Sequence, residues 1–214
     1  MATGYSDEVR YYPWVGDHYS KQQQRWLVLG ESSYELQLTE THAVTHMIRA
    51  HCGDSTSTFE TGRYRVCAAA ERLITGCEDP APVHFWQTVA FYNYVRDSMA
   101  GAKARPTTLQ FRQSLAAFNE VVCRLRPTVV LVLGIRLWDV LPGERDGWTK
   151  GPELALSMPT NARKLSLWTG RAQHASESHE FTCFPVAHPS SRRFASSRWK
   201  DWMDAAKACI AAQS

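Results

Sequence analysis

The chain has 214 residues, of which 44% are hydrophobic and 21% are charged, and this composition excludes disordered and fibrous proteins. The length is sufficient for one domain with a full hydrophobic core and is short for two. The formal net charge of +3 is compatible with a nucleic-acid partner but does not require one.

Residues 1–20 contain charged and aromatic side chains without a continuous apolar run, so we expect no secretory signal. The longest apolar stretch, around 129–133, is far shorter than the roughly 20 residues that cross a bilayer. The six cysteines are scattered, whereas a zinc or iron–sulfur site needs clustered ligands. We therefore expect free thiols, no metal, no membrane partner and a cytoplasmic protein.

Residues 1–24 are predicted to form an extended arm that packs on one domain spanning 25–214, because Pro13 disfavours helix and the arm holds bulky aromatic residues. The run RWLVLG at 25–30 is typical of a buried parallel strand. Apolar spacing then predicts two helices, over 39–50 and over 59–74, the second ending at Gly76.

The segment 84–94 fits a helix in its first half and a strand or loop in its second half. Apolar residues at helical spacing predict a helix over 109–125, capped by Thr107 or Thr108. The β-branched run at 128–134 predicts a strand that is buried on both faces.

The rest of the chain predicts a short helix over 135–141, an irregular region over 142–175, a strand over 180–187 and a last helix over 198–212 with Ser197 as its cap. The long irregular region is a candidate functional loop. The alternation of strands and helices predicts an α/β fold of three layers (α/β/α) with a short, mostly parallel central sheet of about four strands.

Ligands bind at the carboxyl ends of strands in open parallel sheets. Three predicted strands end in small or polar turns: Gly30-Glu31-Ser32-Ser33-Tyr34, Gly134-Ile135-Arg136 and His188-Pro189-Ser190-Ser191. The Gly30 position favours tight backbone geometry. Glu31 is a candidate general base or water-holding group, and it is equally a candidate surface acid near the N-terminus of the next helix.

Two other kinds of site are less well supported by the sequence. Ser32 or Ser33 with His188 as a base would make a serine hydrolase, but no Gly-x-Ser-x-Gly motif accompanies them. A phosphate-binding loop would need a Gly-x-Gly-x-x-Gly or Gly-Lys-Ser/Thr motif, and the sequence contains neither.

A strand that ends in Gly30-Glu31 and a later strand that ends in His188-Pro189-Ser190 together resemble the uracil-DNA glycosylase superfamily. Those enzymes carry a water-activating first motif of the Gly-Gln-Asp-Pro-Tyr-His or Gly-Glu-Ala-Pro-Gly kind. Their second motif, His-Pro-Ser, lies on the loop that enters the DNA. The resemblance extends over residues 25–212.

The resemblance implies roles for residues of both turns. Gly30 and Glu31 would match the start of the first motif, with Glu31 as a catalytic residue and Gly30 and Ser32 beside the base. Tyr34 would stand against the C5 face of the base and exclude thymine. His188, the second catalytic residue, would donate to the uracil O2 as negative charge develops there.

The resemblance also implies contacts to the base edge and to DNA. Asn93 would read the uracil edge. Ser190 would contact a DNA phosphate, and Ser191, Arg192 and Arg193 would add DNA contacts from the same loop. Phe194 is either a wedge that enters the DNA or an anchor in the core.

Some positions depart from the family pattern. Ser32 stands where the best-known branch has its water-activating aspartate, Ser33 replaces a proline, and Arg192 replaces the leucine wedge. The four iron–sulfur cysteines of the glutamate-containing branch are absent. We therefore keep two main readings: a monofunctional DNA glycosylase that acts on uracil or a related base, and a non-catalytic binder of nucleobases, nucleotides or DNA on the same fold.

The expected partner is DNA, single- or double-stranded, that carries an altered base. We expect a monomer that needs no cofactor.

Overall fold

The computed structural model of the protein describes residues 4–101, 103–153, 166–191 and 194–212. Within these residues, seven strands form one mixed sheet. They are β1 Trp14–Val15, β2 Trp26–Gly30, β3 Ala90–Asn93, β4 Val129–Leu133, β5 Thr149–Glu153, β6 Ser166–His174 and β7 Glu177–Val186.

Seven α-helices and three short 3-10 turns accompany the strands in the described part of the chain. The helices are α1 Ala43–His51, α2 Arg65–Thr75, α3 Pro82–Trp86, α4 Thr108–Gln113, α5 Leu115–Leu125, α6 Ile135–Trp138 and α7 Lys200–Ala211. The 3-10 turns are Tyr19–Lys21, Glu144–Asp146 and Ser196–Trp199.

The centre of the sheet is parallel and its edges are antiparallel. The strand order is β1-β3-β2-β4-β7-β6-β5, in which β3, β2, β4 and β7 run parallel to one another. The α/β class is confirmed, but the predicted size of about four strands is wrong. That number fits only the parallel centre, because β1 adds to one edge and β6 and β5 add to the other.

The prediction of an irregular region over 142–175 is also wrong, because β5 and β6 lie within it. β6 pairs with β7 as an antiparallel hairpin in which His174 faces Glu177. Its residues largely alternate between the interior and solvent. A strand of this kind, outside the parallel centre of the sheet, lacks the continuous apolar run that marks a central parallel strand, so the sequence pattern did not indicate it.

Helices cover both faces of the sheet. The side chains of Val28 and Leu131 join α1, α2, α3 and α7 in one hydrophobic core. The side chains of Leu29 and Val130 join α4 and α5 in a second core on the other face. This alternation follows from the two-residue period of a strand, and it explains why both β2 and β4 are apolar throughout.

Several predicted helix boundaries need correction. α1 begins at Ala43 and α2 at Arg65, each later than expected, and α2 ends before Gly76 as expected. The last helix begins at Lys200 after a 3-10 turn, and no side chain caps it, so Ser197 is not its cap.

The helix expected over 109–125 is split at Ser114. Thr107 caps α4 through a reciprocal capping box with Gln110, as one of the two expected caps. The Ser114 hydroxyl donates to the Gln110 carbonyl at 2.7 Å and accepts from the Arg96 backbone N–H at 3.0 Å. A buried serine with these partners ends one helix and begins the next.

Residues that precede β2 contact the sheet and its helices. β1 pairs with β3, and the side chains of Val9, Tyr11 and Tyr19 are buried. All six cysteines are free thiols. Within the described ranges, no helix is both long and apolar enough to cross a bilayer.

A buried carboxylate, Glu71 on α2, connects three helices. Its oxygens accept from His51 Nε2 at 2.6 Å, Trp86 Nε1 at 2.8 Å and Arg63 Nη2 at 3.1 Å. His51 Nδ1 accepts from the Tyr64 backbone N–H at 3.0 Å, so the proton lies on Nε2 when the ring is neutral. The network therefore connects α1, α2 and α3, and its His51 and Glu71 side chains are fully buried.

We expect Glu71→Ala to lower the free energy of unfolding by about 3–5 kcal/mol, because it leaves buried donors without an acceptor. Urea unfolding followed by circular dichroism measures the change. Glu78→Ala removes an exposed carboxylate and should change stability by less than about 0.5 kcal/mol. Equal effects of the two substitutions would contradict a central role for the Glu71 network.

Candidate functional site

The candidate site lies where β2, β3, β4 and β7 end at the same edge of the sheet. Backbone pairing continues beyond β2 and β3: the Tyr94 N–H donates to the Gly30 carbonyl at 2.9 Å, and a parallel bridge joins Tyr34 to Met99. The turn after β2 is therefore fixed against the segment after β3. Backbone hydrogen bonds therefore hold the turn that carries these side chains, and the turn is not a free loop.

A cavity of about 210 Å³ opens at this edge. Its polar part is formed by Glu31, Ser32, Ser33, Tyr34, Asn93 and His188. Its apolar part includes Val44, Met47, Phe59, Tyr64, Val66 and Phe91. The structure thus brings the base-binding and catalytic candidates of the sequence, with Gly30, to one cavity.

Glu31 is bound by Arg136 from the neighbouring turn after β4. Arg136 Nε donates to Glu31 Oε2 at 2.8 Å, and Arg136 Nη2 donates to Oε1. The Glu31 side chain is only 10% exposed, whereas that of Arg136 is 43% exposed. A bidentate ion pair of this kind fixes the orientation of the carboxylate.

His188 presents a neutral ring with a defined tautomer. The Ser190 backbone N–H donates to His188 Nδ1 at 3.1 Å, and the Ser190 hydroxyl lies 2.7 Å from the same nitrogen. Because Nδ1 is an acceptor, the proton of the neutral ring lies on Nε2. Burial lowers the pKa of His188, Glu31 opposes this change, and Arg136 adds to it.

Asn93 explains why residue 30 is glycine. Gly30 and Asn93 are paired across β2 and β3, and a Cβ on residue 30 would lie 2.3 Å from Asn93 Oδ1. Asn93 Nδ2 donates to Ser33 Oγ at 2.8 Å. Gly30 does not have a positive φ, so the expected reason for this glycine, a tight turn, is corrected to the room that the amide needs.

A groove of about 490 Å³ adjoins the cavity. Glu31, Tyr34 and His188 line both spaces. The groove is otherwise lined by Lys103, Ala104, Arg105, Gly134, Ile135, Arg136, Ser190 and Ser191. Tyr34, which is 41% exposed, forms the lip between the two; partial burial and then the charge of Glu31 raise the pKa of its phenol.

The expected DNA-contacting loop is described in part. Ser190 and Ser191 line the groove, and the two arginines predicted beside them, Arg192 and Arg193, lie outside the described residues. Phe194 packs partly buried against the first hydrophobic core, which favours the anchor over the wedge.

Two expectations about catalytic groups differ from the geometry. Glu31 is not at a helix N-terminus, because α1 begins only at Ala43, and its positive partner is Arg136. Ser33 accepts from Asn93, and His188 Nδ1 accepts from Ser190. The hydrogen-bonded partner of His188 Nδ1 is therefore Ser190 and not Ser32 or Ser33, so neither serine of the first turn has the hydrogen bond to its base that a nucleophile needs.

Sequence reasoning missed Arg136 as a site residue. A signal was present, because Arg136 lies on the second of the three strand-end turns, directly beyond a neighbouring parallel strand. It also missed the apolar wall from Met47, Phe59 and Tyr64. These residues follow β2 at irregular distances, so no motif connects them to the strand ends.

Within the described ranges, no group of three or more His, Cys, Asp or Glu side chains is placed to hold a metal ion. No protein-family model matches the chain, and no curated protein matches it significantly. Function must therefore be inferred from the geometry and chemistry of the site.

We expect Gly30→Ala to cost about 1–3 kcal/mol of stability and to displace the Asn93 amide, because the new Cβ would overlap Asn93 Oδ1. Urea unfolding measures the cost, and the NMR signals of the Asn93 side-chain amide report its movement. Gly143→Ala is the control, since a Cβ there meets no atom within 4 Å. Unchanged Asn93 signals in Gly30→Ala would refute the steric argument.

We expect ¹⁵N NMR at neutral pH to show His188 as the neutral tautomer protonated on Nε2. Because folding lowers its pKa, the unfolded chain takes up this proton first as pH falls. The stability from the neutral ring is therefore present above about pH 6.5 and is lost as pH falls through the folded-state pKa.

Stability of the wild type should consequently fall more between about pH 7 and pH 5 than that of His188→Gln. His179, whose pKa is also lowered by burial, is present in both proteins and cancels in the comparison. Identical pH dependence of the two proteins, or a ring protonated on Nδ1, would show that Ser190 does not hold His188 in the stated form.

Proposed function

We propose that the protein is a DNA glycosylase-like enzyme that hydrolyses the N-glycosidic bond of an altered base, uracil or a related one, flipped out of DNA. One observation carries this proposal: a carboxylate, a side-chain amide and a neutral imidazole donor line one cavity together with aromatic and aliphatic side chains. The order of the two turns, which resembles the uracil-DNA glycosylase superfamily, supports the same conclusion.

The size and lining of the cavity suit a flat heterocycle. An engineered protein cavity of about 150 Å³ binds benzene, and the cavity here measures about 210 Å³. Phe59, Tyr64 and Phe91 supply aromatic surface for the faces or edge of such a ring. An amide at Asn93 offers a donor and an acceptor together, which complements an edge where N–H and C=O are adjacent.

His188 supplies the electrostatic assistance that the reaction needs. When the bond between the base and C1′ breaks, its electron pair stays on the base, which becomes an anion. An Nε2–H that already points its proton outward can donate to a carbonyl oxygen of that anion without first changing its protonation state. The lowered pKa of His188 keeps its ring neutral, so the ring does not place a full positive charge in the cavity.

Glu31 would stabilise the positive charge that develops on the sugar. The sugar left behind is a cation, and an ionised carboxylate stabilises a cation in a site with little water. Each oxygen of Glu31 receives one N–H from Arg136, which leaves lone pairs free to accept from a water molecule. That water then adds to C1′ and releases its proton to the carboxylate or to solvent.

A second candidate function is non-catalytic binding of a nucleobase or of DNA. The observation that favours it is the bidentate contact of Arg136 to both oxygens of Glu31. A guanidinium so close reduces the attraction of the carboxylate for a sugar cation and occupies lone pairs that could otherwise accept from a water molecule. The cavity and its polar edge would serve recognition equally well without hydrolysis.

The test is a panel of oligonucleotides, each with one altered base, scored for abasic sites after incubation. We expect the wild type to release at least one base. His188→Ala should reduce the rate by about 100-fold or more, as expected for losing one donor to a developing anion, and Glu31→Gln should abolish release. Circular dichroism of each variant checks that the fold is intact.

Matched controls are His84→Ala and Glu78→Gln, which change exposed residues away from the cavity. Base release that is unchanged in His188→Ala and Glu31→Gln would reject the assigned roles. No release by the wild type, combined with binding of the same oligonucleotides, would establish the non-catalytic alternative.

A further inference from the structure

We propose that the groove beside the cavity is a phosphate-binding subsite, and that it holds a phosphodiester of the nucleotide whose base occupies the cavity. This inference rests on the proposed function and extends it from the base to the backbone of the ligand. It assigns the binding to Lys103, Arg105 and Arg136, of which only Arg136 belongs to one of the strand-end turns.

Arg136 lines the groove and is connected to the cavity through its contact with Glu31. Its Nε–H and one Nη2–H donate to Glu31, and a guanidinium has five N–H donors, so three remain. Arg136 lines the groove and is absent from the wall of the cavity. The contact with Glu31 therefore fixes the plane of the guanidinium while part of it, 43% exposed, faces the groove.

Lys103 and Arg105 add positive charge to the wall of the groove. Both side chains are exposed, and neither forms an ion pair with a carboxylate among the described residues. Three cationic side chains thus meet one carboxylate, Glu31, in this groove. Since His188 is neutral, the groove carries a net positive charge and favours an anion.

The connection between groove and cavity identifies the anion. Glu31, Tyr34 and His188 form a shared lip, so a ring inside the cavity would leave its attached sugar at this lip. The next group along a nucleotide is a phosphate, which carries the charge and the oxygen acceptors that arginine binds best. A phosphate is too strongly hydrated for the apolar end of the cavity, and it is suited to the open, basic groove.

The experiment compares binding by the wild type with binding by the double variant Lys103→Gln/Arg105→Gln. The probe is a fluorescein-labelled single-stranded oligonucleotide with one uracil, measured by fluorescence anisotropy over a range of salt concentrations. Loss of two phosphate contacts should reduce the slope of log K against log salt by about 1.4, or roughly 0.7 for each contact. The affinity at low salt should fall by about 10-fold or more.

The matched control is Lys150→Gln/Arg171→Gln, which removes the same charge from the antiparallel strands β5 and β6. These two residues pair with Glu153 and Glu180 and line neither the groove nor the cavity. The control should keep the wild-type slope. Equal losses in both double variants would mean that only overall charge matters, and that result would overturn the subsite.

A second arm separates the two sources of phosphate by competition with uridine and with uridine 5′-monophosphate. A strand phosphodiester is supported if neither monomer competes strongly while the oligonucleotide depends on Lys103 and Arg105. Competition by the monophosphate alone, lost in the double variant, indicates a terminal phosphate. Equal competition by both monomers, or no oligonucleotide binding at low salt, overturns the proposal.

The anisotropy experiment measures binding and not base release, so its outcome does not depend on catalysis. If no oligonucleotide in the base panel becomes abasic but the salt slope falls in the double variant, the hydrolytic function fails and the subsite stands. If bases are released and the slope does not change, the subsite fails and the hydrolytic function stands.

Discussion

Parallel alignment of β2, β3 and β4 is the constraint on which the site depends. In this arrangement the turns that carry Glu31 and Arg136 leave neighbouring strands in the same direction, and Asn93 ends the strand on the other side. Residues more than 100 positions apart, such as Glu31 and Arg136, are thereby brought into contact. No local feature of either turn would hold them together without the sheet.

Within this frame, electrostatics separates the roles of the two ionisable groups. Glu31 is held in place by its ion pair with Arg136, whereas burial lowers the pKa of His188 and the Ser190 N–H occupies its Nδ1. The cavity is therefore lined by both a carboxylate and a neutral donor. A reaction that creates a cation and an anion side by side would be stabilised by such a division, and strong binding of either charge alone would not require it.

Central strands are predicted from the sequence better than outer strands. Residues beside a clear strand end are predicted better than their long-range contact partners. β2 and β4 are apolar throughout because both faces are covered, so their pattern was clear. β6 alternates and pairs with antiparallel neighbours on both sides, so its pattern is weak. Glu31 and His188 follow clear strands, and the structure places both in the cavity, whereas the Arg136 contact arises only from the strand order β2–β4, which composition does not encode.

The two adjoining spaces have opposite chemistry, and this contrast limits the possible ligand. The cavity ends among aromatic and aliphatic side chains, while the groove is open and basic. A free base would fill the cavity and leave the three cationic side chains of the groove without a ligand. A simple anion would bind in the groove and leave the cavity empty. A nucleotide joins a flat, weakly polar ring to a phosphate through a sugar of fixed length. We therefore propose a nucleotide as the class of ligand for both spaces, with Tyr34 and His188 at the junction where the glycosidic bond would lie.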